Sequence, residues 1–134
     1  MGYRSDVAAM FYVEHEDQLP LLQLFVEENF PFDHFGDGQM KHIDSDYVYG
    51  YEFRAGYVKW YDAYPDVQAF GKFVDKFAEL ADEVITGGGG FYRNWAYEYI
   101  RLGEDEDDME RGCSQQSYGL LSITRGIHIN YGET

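Results

Sequence analysis

An α+β fold follows from three features of the sequence. One apolar stretch runs almost unbroken near the start, two segments repeat with helical spacing, and two segments alternate apolar and polar side chains. In chain order these read β-α-β-β-α-β-β, and split βαβ units of that kind close into an antiparallel-rich sheet with two helices on one face. The expected architecture is a ferredoxin-like two-layer α/β sandwich with an extra C-terminal strand, with residues 1–134 forming one domain.

Residues 6–13 (DVAAMFYV) suit a strand covered on both faces, because polar positions are almost missing from it. Residues 17–29 follow as a helix: Leu19, Leu22, Val26 and Phe30 recur at three and four, and Leu21 and Phe25 widen the stripe. Asp17 is the expected cap, Pro20 falls in the first turn, and Pro31 stops the helix. Residues 31–46 are rich in turn formers, have no period, and read as a loop. Alternation then places Tyr47, Tyr49, Tyr51 and Phe53 on one strand face. Ala55-Gly56 is the expected tight turn into a second strand, Tyr57 to Tyr61.

The clearest helix covers 65–85, where Val67, Phe70, Val74, Phe77, Ala81 and Val84 keep one side. Lys72, Asp75, Lys76, Glu79, Asp82 and Glu83 mostly take the other. Pro65 opens the helix and Gly87 ends it. Residues 91–102 alternate again, with Phe91, Arg93, Trp95, Tyr97 and Tyr99 against Tyr92, Asn94, Ala96, Glu98, Ile100 and Leu102. An acidic connection, 103–117, leads to a last strand region, 118–131, with a break expected at Arg125-Gly126.

Composition narrows the function classes. Ten Lys and Arg face 25 Asp and Glu, a formal net charge of −15. That surface repels nucleic-acid phosphates and anionic headgroups and attracts cations or basic proteins. Hydrophobic residues at 45%, aromatics at 19% among them, are enough for a packed interior without staples. A lone cysteine, Cys113, forms no internal disulfide and no thiolate-rich zinc site. The apolar stretch 7–13 is flanked by Asp6, Glu14, Glu16 and Asp17, unlike a signal peptide, and Asp6 stands where a myristoylation motif needs Ser or Thr. No apolar run nears the ~20 residues of a membrane span. A cytoplasmic protein is expected.

Five segments carry residue types that bear on chemistry. Gly87 to Gly90 lies between a helix and a strand, the reverse of a phosphate loop, and reads as a flexible connection. His34, Asp37, His42, Asp44 and Asp46 are imidazoles and carboxylates that suit zinc, manganese or iron, yet their spacing matches no metal motif. Residues 104–110 (EDEDDME) lack the central Gly of a calcium loop and read as a solvated charge run or a docking surface for Lys- or Arg-rich protein. Cys113 has no base near it in sequence, His128 being the nearest histidine. The aromatic strand faces, Tyr47/Tyr49/Tyr51 and Trp95/Tyr97/Tyr99, either pack under the helices or form an open face suited to a homodimer.

Three stretches carry a resemblance. Met1-Gly2-Tyr3-Arg4-Ser5-Asp6-Val7 opens the chain, Val58-Lys59-Trp60-Tyr61 with Pro65-Asp66-Val67 lies mid-chain, and Tyr99-Ile100-Arg101-Leu102-Gly103-Glu104 precedes the acidic run. Together they resemble a group of small acidic proteins from bacteriophage and prophage genomes. The resemblance implies a phage context, which would make the compartment the host-cell cytoplasm, and no catalytic residues.

The resulting expectation is a non-enzymatic protein without cofactor that binds a host or phage protein, inhibiting it or mimicking nucleic acid at a basic surface. Glu104, Asp105, Glu106, Asp107, Asp108 and Glu110 are the expected contacts. Two alternatives stand beside it: a metal-binding module or small metal-dependent enzyme using the 34–46 loop, and a structural homo-oligomer joined through the aromatic sheet face.

Overall fold

The apolar stretch near the start becomes the centre of the protein. In the computed structural model, which describes residues 4–35, 39–43, 45, 47–87, 95–104, 108–113, 121–123 and 127–129, strand β1 (Ser5–Val13) is buried along its whole length except at Asp6. A strand with neighbours on both edges and cover on both faces has no place for polar side chains, which is why its sequence does not alternate.

Strand β1 pairs antiparallel with β3 (Tyr49–Val58) on one edge and with β4 (Trp95–Gly103) on the other. Strand β2 (Met40–His42) adds to β3, and β5 (Met109–Cys113) adds to β4. The result is a five-stranded antiparallel sheet in the order β2-β3-β1-β4-β5. A second ladder, β6 (Leu121–Ile123) with β7 (Ile127–Ile129), lies against β1 and β4.

Helices α1 (Leu19–Asn29) and α2 (Pro65–Gly87) cover one sheet face. The 3₁₀ turn Glu16–Gln18 leads into α1, so the cap falls on Gln18 and Asp17 does not cap it. The Asn29 amide donates to the Phe25 carbonyl (2.9 Å) and its oxygen accepts from Lys76 Nζ (2.9 Å), tying the end of α1 to α2. From α2, Phe73 and Phe77 meet Phe11 of β1 edge-on, with ring centres 4.9 and 5.2 Å apart. Trp95 stacks on Phe77 at 5.3 Å and meets Phe25 of α1 edge-on at 5.7 Å. Such geometries add ring quadrupole attraction to the burial of large apolar surfaces.

The opposite face is also buried. Ala8, Met10 and Tyr12 of β1 join Val48, Ala96 and Ile100 in a second apolar cluster. The same strands carry the β6–β7 ladder.

Four expectations need correcting. Ala55-Gly56 is not a turn: β3 runs on to Val58, and an extra residue on β3 between the pairs Val7↔Ala55 and Ser5↔Val58 makes a bulge. Tyr57 takes the left-handed conformation there (φ 54°), and its N–H donates to Asp6 Oδ1 at 2.8 Å. The polar segment 31–46 contains β2, and the acidic connection contains β5, so the strand that widens the sheet is β5 and not the C-terminal region. Finally, Tyr51, Trp95 and their neighbours Tyr49, Tyr97 and Tyr99 pack beneath the helices, whereas Tyr47, read on the same strand face, precedes β3 and is exposed.

Gly50 shows how close the strands come. A Cβ there would sit 2.1 Å from the Phe11 carbonyl oxygen, so only glycine fits opposite Tyr12.

Candidate functional site

Among the described residues, Glu104, Asp108 and Glu110 of the acidic run gather with Arg101 at the β4–β5 edge. Arg101, on β4, reaches across to β5 and grips Asp108 with both terminal nitrogens, at 2.6 and 3.1 Å. Its Nε donates to Glu110, the residue opposite it in the ladder, and its Nη1 also donates to Ser5 Oγ on β1 at 3.1 Å. A forked, bidentate guanidinium–carboxylate pair is a strong charge-assisted contact. Hydrogen bonds to Asp108 and then Glu110 hold the Arg101 proton more tightly than in a free side chain, against the opposing effect of burial. Glu104 closes the same corner by accepting from the Arg4 backbone N–H at 2.7 Å.

Next to this corner lies a cleft of about 280 Å³ between the first half of α2, the loop before it, and the β4–β5 edge. Its walls are aromatic: Trp60, Phe70 and Tyr99, with Trp60 Nε1 donating to the Tyr99 hydroxyl at 3.1 Å. Asp62, Asp75 and Glu110 supply its carboxylates, and no Lys or Arg is among its described lining residues. Burial pushes the Tyr99 hydroxyl up to about 12, and the charges of Glu110 and Asp62 push the same way, while the Trp60 hydrogen bond and Arg101 oppose them. An apolar cleft with fixed negative charge suits a cation with a flat or aliphatic body.

Gly71 lines the cleft from α2, and a Cβ built on it would find no heavy atom within 4 Å.

The expected partner-binding residues are placed as follows. Glu104 and Glu110 are exposed, Asp108 is half-buried and engaged by Arg101, and Asp105, Glu106 and Asp107 lie outside the described residues. Of the metal candidates, His34 is exposed and 3.8 Å from Asp33, and His42 packs on the Tyr51 ring with centres 4.5 Å apart. Asp37, Asp44 and Asp46 lie outside the described residues, among which no three His, Cys, Asp or Glu side chains converge on a common point. Cys113 is exposed on β5. Gly87 ends α2, whereas 88–90 lie outside the described residues.

Trp60, Asp62, Asp75 and Tyr99 were not singled out together in the sequence, because the cleft gathers them from separate elements and no local spacing links them. Gly71 did carry a signal: a glycine inside an otherwise strong helical pattern lowers helix stability and asks for a packing or functional reason.

A second buried polar site lies on the other face. Glu98, 3% exposed, accepts a 2.5 Å hydrogen bond from the Tyr12 hydroxyl, so a carboxyl is held among Ala8, Met10 and Ile100. A buried polar pair of this kind is stable only while its hydrogen bonds are complete.

Among the described residues no helix is long and apolar enough to cross a membrane. No family model, no curated protein and no solved structure matches this chain.

Proposed function

We propose that this chain is a non-enzymatic binding protein whose acidic β4–β5 corner docks a protein with a basic surface. The observation that carries the reading is the aromatic cleft with carboxylates from three elements on its walls, Asp62, Asp75 and Glu110, and no cation among its described lining residues. Glu104 and Asp108 extend the same negative corner, and the net charge of −15 draws a basic partner towards it. Basic surfaces that normally hold nucleic-acid phosphates are matched by such a display of carboxylates. A host or phage nucleic-acid-binding protein is therefore the partner class, met in the host cytoplasm. On the fold, the order β2-β3-β1-β4 with one helix between β1 and β2 and one between β3 and β4 supports a ferredoxin-like reading, with β5 as an added edge strand.

Charge location separates docking from bulk attraction. An arginine-rich peptide should bind with an affinity that falls steeply with salt, and Glu104→Gln with Glu110→Gln should weaken it by about tenfold. Glu27→Gln with Glu28→Gln removes the same charge from α1, where Glu27 lies near Tyr51 of β3, across β1 from the β4–β5 edge, and should leave the affinity nearly unchanged. Equal losses in both pairs, or binding indifferent to salt, would refute the docking corner.

A further inference from the structure

We infer that the Trp60–Phe70–Tyr99 cleft is the receptor for a single arginine side chain of the partner, a reading that rests on the docking corner above and specifies its contact. Four observations lead to arginine. The cleft is small, about 280 Å³, which is at or below the low end of small-molecule pockets and suits one inserted side chain. Its aromatic walls suit a flat guanidinium, which stacks on rings more readily than an ammonium. Its carboxylates Asp62 and Asp75 offer paired oxygens to a fork of N–H donors, and Glu110, with one oxygen bonded to Arg101, adds negative charge beside them. The adjoining Arg101 already makes that contact within the chain, forked onto Asp108 and bonded to Glu110.

Gly71 is the independent observation. It lies inside the 23-residue helix α2, where glycine lowers stability relative to alanine. No positive φ holds it there and no neighbour crowds its Cβ position, so neither backbone nor packing requires it. What the missing side chain does provide is width: it leaves the α2 wall of the cleft open beside Asp75 and Phe70. A space held open at a cost to its own helix is a space meant to be entered.

The test follows the Trp60 indole N–H by two-dimensional NMR during titration with a Gly-flanked arginine peptide. The matched peptide carries citrulline, which keeps the shape and removes the charge. Saturable movement of the Trp60 signal with arginine and little with citrulline is expected. Gly71→Leu should fill the cleft and weaken binding by about tenfold or more while the protein melts no lower than the parent. Asp75→Asn, an exposed change, should weaken it by a smaller factor in the same direction. Equal responses to arginine and citrulline, or full affinity in Gly71→Leu, would overturn the inference. If Gly71→Leu binds the arginine-rich peptide normally while the Glu104/Glu110 pair does not, the docking corner stands and the cleft falls. If the arginine-rich peptide does not bind the parent protein, both fall.

Discussion

On the helix side of the sheet, Phe11 is surrounded by Phe70, Phe73 and Phe77, and Trp95 is wedged between Phe25 and Phe77. On the other side, the same strands present Ala8, Met10, Ala96 and Ile100, with one hydrogen-bonded acid, Glu98, among them. The first surface fills the wide gap between a sheet and two helices with rings. The second holds one ring, Tyr12, among smaller side chains, and the β6–β7 ladder comes against β1 and β4 there. The difference shows that alternation in a strand separates two environments without saying that either is solvent. Here both are interior, and the clustered rings mark the side that the helices cover.

Truncating a ring tests the contrast most severely. Phe77→Ala, at a fully buried position, should cost about 3–5 kcal/mol in denaturant unfolding, whereas Met10→Ala on the other side should fall at the low end of the range of about 2–5 kcal/mol. Equal losses would mean that the two layers are packed alike. Next in size is the polar pair: Glu98→Ala should destabilise by about 1–3 kcal/mol, and a double-mutant cycle with Tyr12→Phe should show favourable coupling. Additive losses would show that the two side chains act separately.

The third prediction concerns pH. Tyr99 holds its proton up to about 12, above its ordinary value of 10.0, so the folded state binds the proton more tightly than the unfolded chain does. That stabilisation is complete below pH 10 and is lost as pH climbs towards 12. Tyr99→Phe should therefore flatten the alkaline fall in stability, leaving the part due to Tyr51, whose hydroxyl burial and nearby Glu27 also push up. The smallest effect is a gain. Gly71→Ala should raise stability by about 0.5–1 kcal/mol, because α2 has room for the methyl group.

Much of the fold was legible because its elements are strongly patterned. The helix read over 65–85 is α2, Pro65–Gly87, and the apolar stretch 6–13 is β1, Ser5–Val13. What escaped was written in weak or borrowed signals. Strand β2 is three residues long, two of them exposed, so it carries no period to read. Strand β5 (MERGC) is an edge strand with four exposed residues, held by ladder bonds and by Arg101, and its sequence looks like the acidic loop around it. Gly56 suggested a turn because glycine serves bulges and turns alike; only the pairing with β1 tells them apart. In the candidate site, Glu110 was visible as part of a charge run. Its cleft partners Trp60, Asp75 and Tyr99 come from the pre-α2 loop, α2 and β4, and are brought together only by the fold.

The position of β1 has a consequence for how the molecule comes into being. The first of the described strands in chain order is the one in the middle of the sheet, and its partners lie at 49–58 and 95–103, so Arg4 meets Glu104 only across 100 positions of chain. On a ribosome, the seven apolar residues from Val7 to Val13 wait for β4 to be synthesised before both their edges are paired. Non-local pairing of this sort is slow, and such a segment is sticky while it waits. The protein's yield in cells should thus depend on how quickly translation proceeds between β3 and β4.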